Sequence, residues 1–384
     1  MKAPAVSVVI PTFNRRRQVG QAVKSVLSQT FADLELLVVD GGDDGTAESL
    51  AGRDARLRYE RVVDDTGPAS ARNTGIRLAR APTVAFLDAD NRWLSDHLAV
   101  VVAVLERRPE AVLVSTCPEF RIAGREEPGD AALVDSLPTA LMWNRVGYVS
   151  GVAVRREDLL EVGGFDEGLL VGEDDDLWLR LAMRGPFATI RRRTIVRRHT
   201  RNGLRDQGRR AGMYTAANTR SLERAIGELQ QRPVAGREEL LERARARLDV
   251  LAAVGALEHD DRSEARAALS RACAAVPELE RNPGLLLSQV WKSAHDRAEL
   301  RRRVTAAAAT MPDPACHTAL YLRAYAAVLY LTRGRIVPAA RLVLVRPHLA
   351  RRTFISRAYR PGLRAARNRV VEILRGRRES PLAR

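Results

Sequence analysis

The run Asp88-Ala89-Asp90 closes the apolar segment Thr83–Leu87 and leaves two carboxylates one residue apart at its end. Hard oxygen donors of this kind suit Mg2+ or Mn2+, and such an ion needs only one or two protein carboxylates when substrate phosphates complete its shell. Helix capping is the plainer explanation, because acids favour the start of the helix expected near Leu94. A second acidic run, Glu173-Asp174-Asp175-Asp176, opens an amphipathic stretch that reaches Arg184 and is closed by Gly185. The helix macrodipole alone favours acids in a first turn, yet four in succession exceed what capping requires. Asp40 ends another apolar run, ahead of the turn-forming cluster Gly41–Gly45. His199 stands among Arg197, Arg198 and Arg201, a setting suited to charge developing on a diphosphate.

The elements that must hold these residues follow from periodicity. Val6–Ile10, Leu34–Val39, Leu57–Val63 and Thr83–Leu87 are short β-branched or apolar runs that predict strands. Between them, Gln18–Gln29 places Val19, Val23, Val26 and Leu27 on one helical face, and Ser70–Arg80 predicts a second firm helix. Strands alternating with helices of this length imply an α/β fold with a mostly parallel, doubly wound sheet, whose ligands bind beyond the carboxyl ends of the strands. Pro11-Thr12-Phe13-Asn14, Asp40 and Asp88–Asp90 all fall at such ends. A polar loop is expected between Pro118 and Pro138, after which the pattern resumes at Tyr148–Val154.

Five motifs stand in order along the chain: Val8-Val9-Ile10-Pro11-Thr12-Phe13-Asn14-Arg15, Val38-Val39-Asp40, Ala71-Arg72-Asn73-Thr74-Gly75, Phe86-Leu87-Asp88-Ala89-Asp90, and Gly172-Glu173-Asp174-Asp175-Asp176-Leu177-Trp178-Leu179-Arg180. Together they resemble family 2 glycosyltransferases of the GT-A (Rossmann-like) fold, over residues 1 to about 205. The resemblance implies that Pro11, Thr12 and Phe13 line a nucleoside pocket and that Asp40 hydrogen-bonds the base. A carboxylate can accept from the imide N–H of uracil or thymine, and Phe13 can pack on a flat ring. Where the family usually carries Asp-Asp-Gly-Ser-x-Asp-Gly-Thr, this chain has the shorter Asp40-Gly41-Gly42-Asp43-Asp44-Gly45-Thr46.

By the same resemblance, Arg72 lies near the nucleotide and the acids, Asp88 near the ribose, and Asp90 ligates the metal, with His199 on metal or diphosphate. Of the pair Glu173-Asp174, the aspartate is the general base, and Gly163-Gly164-Phe165-Asp166-Glu167 forms part of an acceptor wall. The implied activity is Mn2+- or Mg2+-dependent inverting transfer from a nucleoside-diphosphate sugar, UDP- or dTDP-type favoured, to a hydroxyl acceptor on a glycan, lipid-linked sugar or natural product. Two alternatives stay open: a retaining transferase or nucleotidyltransferase on the same sheet, and a non-catalytic nucleotide-binding scaffold that recruits partners or membrane.

The overall charge of +16 is unevenly placed, since residues 1–200 carry 27 Lys/Arg and 29 Asp/Glu while the rest carries 36 and 18. Beyond about residue 201 the texture turns Ala/Arg/Leu-rich with a helical period, so a catalytic domain 1–210 and a basic helical extension 211–384 are expected. Arg243–Leu257 and Ser263–Ala275, capped by Ser263 and stopped by Pro277, read as a helical hairpin. From Arg333 through Arg377 basic residues alternate with Leu, Val and Ile, which fits helices on an anionic membrane surface or a solvated arginine-rich face. Aromatics interleave poorly with that charge, so nucleic acid is not an expected partner. Cys117, Cys273 and Cys316 suggest neither a disulfide framework nor a zinc site. With no leader-like pattern at Met1–Val9 and Ala319–Leu331 interrupted by Arg323, a cytoplasmic location is expected, with a peripheral hold on the membrane's inner face as an option.

Overall fold

The computed structural model describes residues 3–63, 67–116, 132–134, 136–142, 146–190, 192, 194–196, 198, 208, 213–281, 286, 290, 297–313, 318 and 322. Packing divides the chain into two compact units, Met1–Ala244 and Arg245–Arg384.

The first unit is built on strands β1 (Val6–Thr12), β2 (Leu34–Asp40), β3 (Leu57–Arg61) and β4 (Thr83–Phe86). Every residue of β1 and β2 is buried, the continuous apolar signature of parallel strands covered on both faces. Further strands are β5 (Arg92–Trp93), β6 (Leu113–Ser115), β7 (Ala132–Val134), β8 (Val152–Arg155), β9 (Phe187–Thr189) and β10 (Ile195–Val196). The main sheet has eight strands in the order β3-β2-β1-β4-β8-β6-β9-β7, and β5 pairs with β10 in a small separate ribbon. From β3 to β4 the strands run parallel; β8 is antiparallel to both β4 and β6, and β7 is antiparallel at the edge. An inserted antiparallel strand begins where its parallel neighbour finishes, so the residues just before β8 reach the end of the sheet occupied by Asp88 and Asp90.

Helices α1 (Arg16–Leu27), α2 (Thr46–Leu50) and α3 (Pro68–Leu78) connect the parallel strands. They are followed by α4 (His97–Arg107), α5 (Ser136–Met142), α6 (Arg156–Glu161), α7 (Glu173–Ala182) and α8 (Met213–Gln231). α3 lies so close to β1 that a Cβ on Gly75 would stand 2.3 Å from Val9 Cγ1. Glycine here is a requirement of packing, because any side chain would push the helix off the strand.

In this unit three sequence expectations change. The helix after the acids begins at His97, with Asp96 at its N-cap position and β5 in between, so neither Asp88 nor Asp90 occupies its cap. Part of the expected polar loop between Pro118 and Pro138 is strand β7 and the start of α5. The third strand stops at Arg61, short of Val63.

In the second unit, α9 (Arg237–Glu258), within which the division falls, is followed by α10 (Arg262–Ala275) and α11 (Arg297–Thr310). Asp261 caps α10 by accepting from the Glu264 N–H at 3.0 Å, ahead of the expected Ser263. Arg271 bonds Asp249 at 2.8 Å, and Arg303 joins Glu258 at 2.8 Å. Among the described residues no helix is long and apolar enough to cross a membrane. The basic stretch Arg333–Arg377 lies outside the described residues.

Candidate active site

At the ends of β1 and β2, Thr12 and Asp40 are cross-strand partners, and the Gly41 N–H donates to the Thr12 carbonyl at 3.1 Å. Asp40 is buried. Its Oδ1 accepts from the Gly42 N–H at 2.8 Å and its Oδ2 from the Tyr59 hydroxyl at 2.9 Å. Burial pushes the Tyr59 phenol up to about 12, and its bond to Asp40 adds to the shift. Each carboxylate oxygen has a second lone pair, so the group is fixed in orientation while keeping acceptor capacity. Asn14, at φ 51°, turns its Oδ1 onto the Asp43 N–H at 2.9 Å, which pins the turn after β1 to the turn after β2. Pro11 and Thr12 are buried beneath this junction, and Phe13 is left 58% exposed. An aromatic ring standing out beside a fixed carboxylate is a surface on which a planar base can lie.

Past β4 the two acids diverge. Asp88 Oδ1 accepts from Arg72 at 2.9 Å, and Oδ2 accepts from the Ser150 hydroxyl at 2.9 Å. The same Ser150 Oγ accepts from the Asp88 N–H at 3.1 Å and the Asn91 amide at 2.8 Å, and the Ser150 carbonyl accepts from Trp93 Nε1 at 2.6 Å. Asp90 instead pairs with Arg15 through Oδ2 at 2.7 Å, and both side chains are partly exposed.

Arg72 is buried, with its other terminal nitrogen on Glu173 Oε1 at 2.8 Å and its guanidinium 5.2 Å from the centre of the Phe165 ring. Burial disfavours its charge, but Asp88 and Glu173 outweigh burial and raise its pKa. Burial likewise raises the Glu173 carboxyl, which Arg72 opposes. The next motif residue, Asn73, holds a loop. Its Oδ1 accepts from the Phe165 N–H at 2.8 Å, and its Nδ2 donates to the Phe165 carbonyl at 2.9 Å and to Glu167 at 2.8 Å. Gly164, at φ 70°, passes so near that a Cβ would stand 2.4 Å from Asn73 Oδ1. The Ala71–Gly75 motif therefore works outward in sequence order: Arg72 to the acids, Asn73 to the loop, Gly75 to β1.

The acidic run at the start of α7 splits in the same way. Glu173 closes on Arg72, and Asp176 is buried between Arg180, 2.7 Å away, and Arg224, 3.5 Å away. Asp174 is partly buried in the first turn, and its Oδ1 accepts from the Asp175 N–H at 2.9 Å. Of the Glu173-Asp174 pair, Glu173 has its carboxylate buried and ion-paired with Arg72.

The structure thus brings Pro11, Thr12, Phe13, Asp40, Arg72, Asp88, Asp90, Glu173 and Asp174 to one edge of the sheet. His199 lies outside the described residues. Sequence reasoning passed over three residues that shape this edge. Arg15 sits at the end of the first motif but carries no spacing signal of its own; Ser150 and Tyr59 are ordinary residues whose role exists only through neighbours far along the chain.

A mostly parallel sheet with an exposed aromatic ring, a carboxylate pair and an acidic helix start at its carboxyl edge is an arrangement of the GT-A-like fold. Residues 7–160 match the family described as glycosyl transferase family 2. The chain is similar to validoxylamine A glucosyltransferase of Streptomyces hygroscopicus subsp. jinggangensis, with 30% identity over 227 residues that cover 49% of this chain and 54% of that protein. It is also similar to UDP-Glc:alpha-D-GlcNAc-diphosphoundecaprenol beta-1,3-glucosyltransferase WfgD of Escherichia coli, 32% identical over 102 residues, 26% of this chain and 40% of that one. An uncharacterized glycosyltransferase of Rickettsia conorii is 36% identical over 192 residues, 48% of this chain and 31% of that protein. The chain therefore spans about half or less of the length of these relatives. Among solved structures, Staphylococcus aureus TarS 1–349 in complex with UDP-GlcNAc superposes with a TM-score of 0.52 at 16% identity, covering 79% of this chain and 90% of that one. That likeness is one of fold.

Proposed function

We propose that the first unit is an inverting glycosyltransferase that moves a sugar from a UDP- or dTDP-type donor to a hydroxyl acceptor. The observation that carries the reading is the gathering of acids at one edge: Asp40 is fixed beside exposed Phe13, Asp88 is held by Arg72 and Ser150, and Asp90 and Asp174 are partly exposed on the same edge. In this reading Asp40, Phe13, Pro11 and Thr12 receive the nucleoside, and Arg72 orients Asp88 toward the ribose instead of touching the nucleotide itself.

The residues present fit a hard cation. Asp88, 34% exposed at the side chain, and Asp90, 17% exposed and paired with Arg15, set two carboxylates at one strand end, where phosphate oxygens would supply the remaining donors. When bound, Mn2+ or Mg2+ would neutralise charge building on the departing diphosphate. Asp174 takes the proton from the acceptor hydroxyl as its oxygen forms the bond to the anomeric carbon and the bond to the diphosphate breaks, which inverts configuration. Fixed dipoles and charges along this edge supply the rest of the acceleration. His199 joins the diphosphate side of this proposal on sequence alone. The charge of Arg333–Arg377 supports a peripheral hold on an anionic membrane surface, with the catalytic unit on the cytoplasmic side.

The test begins with nucleotide-sugars screened by thermal shift in the presence of Mn2+, since a bound ligand raises apparent stability. With the donor found, NMR of the product should show the inverted anomer, and Asp174→Asn should lower turnover by about 10²–10⁴-fold while leaving donor affinity intact. A retained anomer, or wild-type turnover in Asp174→Asn, would overturn the assignment of Asp174 as base.

A further inference from the structure

Helix α8 lies beyond the family-matching segment, yet it reaches the loop and the helix that carry the acceptor side of the site. Arg224 on α8 bonds Asp166 Oδ2 at 2.5 Å and approaches Asp176 Oδ1 at 3.5 Å. Asp166 belongs to the loop between Gly163 and Gly172, and Asp176 to the first turns of α7, so one guanidinium bridges both. Asp176 is 1% exposed and Asp166 16% exposed at the side chain, while Arg224 is 33% exposed, so the acids are shielded and solvent reaches the bridge from the guanidinium side. Burial works against the charged form of Asp166, but bonds from Arg224 and the Gly168 N–H hold its carboxyl below the ordinary value.

Other anchors share the load. Arg180 donates to the carbonyls of Val162 and Gly164 at 2.6 and 2.7 Å, and Asn73 grips Phe165 from the donor side. α8 also packs at the N-cap of α7, where a side chain on Gly172, at φ 77°, would come within 3.3 Å of Ala217 Cβ. Two residues beyond Gly172 is Asp174. A helix that abuts the cap and clamps the acids on either side of it determines where the first turn of α7 stands.

We infer that α8 is a working part of the acceptor half-site and that Arg224 is a positioning residue, holding the 163–172 loop and the start of α7 so that Asp174 meets the acceptor hydroxyl. The inference rests on the glycosyltransferase reading for its function and on the Arg224 bridge for its structure. Misplacing a reacting group by about 1 Å costs on the order of a hundredfold, which sets the expected size of the effect.

The full-length protein and its Arg224→Gln, Arg224→Lys and Asp166→Asn variants are to be compared by three measurements: calorimetric UDP affinity with Mn2+, amide hydrogen exchange, and transfer kinetics. The expected result for Arg224→Gln is unchanged UDP affinity, faster exchange confined to residues 162–176, and kcat lowered by about 10–100-fold with donor KM unchanged. Arg224→Lys should recover part of the loss, and Asp166→Asn should reproduce it. Exchange that stays at wild-type values, or that rises equally in β1 and β2, overturns the positioning role, as does a loss of UDP affinity matching the loss of turnover. A wild-type protein that neither binds UDP nor consumes nucleotide-sugars defeats the glycosyltransferase reading instead, and the exchange measurement still decides whether Arg224 is the strut.

Discussion

Two carboxylates one residue apart end up in different states because their neighbours differ. Asp88 meets a buried guanidinium, a hydroxyl and an amide, which fix its orientation although its side chain is 34% exposed. Asp90 meets Arg15, whose side chain is 31% exposed. A screened, partly exposed ion pair is worth little, so a divalent ion with a diphosphate can displace it at small cost. Asp90→Ala should therefore abolish the gain in donor affinity that Mn2+ provides; equal calorimetric affinity with and without Mn2+ in both wild type and variant would contradict the assignment. His97 gives a second prediction at this scale. Its ring is fully buried, stacked on Trp93 with centroids 4.1 Å apart, and bonded to Thr194 at 2.7 Å. Burial pushes its pKa down from 6.5 to about 3. Between those values the unfolded chain holds a proton that the native imidazole refuses, so this contribution to stability is fully present above pH 6.5 and is lost as pH falls toward 3. His97→Gln should flatten the acid limb of the urea-midpoint profile; an identical slope in wild type and variant would rule out His97 as its source.

Elements carry the next set of constraints. α3 presents Arg72, Asn73 and Gly75 to three different partners, and the sequence alone showed these residues as a motif without showing their targets. Gly75→Ala inserts a methyl where Val9 leaves no room, and overpacking of this kind costs about 1–3 kcal/mol. A chemical-denaturation midpoint unmoved by that substitution would mean that α3 can lift from β1 without penalty. β3 contributes Tyr59, whose raised pKa means that the neutral phenol is stabilised in the native state. Stability from this pair is complete below the ordinary value of 10.0 and disappears as pH climbs through about 12. Spectrophotometric titration should find one tyrosine ionising near that upper value, absent in Tyr59→Phe.

The molecule as a whole is lopsided in charge: residues 201–384 hold 36 basic and 18 acidic side chains, against 27 and 29 before them. Attraction of that half to an anionic surface is long-ranged only at low ionic strength, since the Debye length is about 8 Å at physiological salt. Full-length protein should therefore float with anionic liposomes in dilute buffer and be released by added salt. Protein that stays in the soluble fraction at low salt removes the membrane proposal. Packing draws the line between units at Ala244, so α8 travels with the sheet although it shares its Ala/Arg/Leu texture with the helices of the second unit. Local composition reports how a segment is solvated, and it is silent about which neighbour a helix buries its face against.

What the amino-acid sequence determined by itself was the alternation of strand and helix, the parallel sheet, the family-like motifs and the location of acids at strand ends, because each is written in periods of two to four residues or in contiguous runs. Tertiary structure alone decided which partner each acid meets. Asp88 owes its state to Ser150, 62 positions away, Glu173 to Arg72 at a separation of 101, and the 163–172 loop to Arg224. Such pairings depend on the crossover of an antiparallel strand and the docking of a late helix, and no local period encodes either.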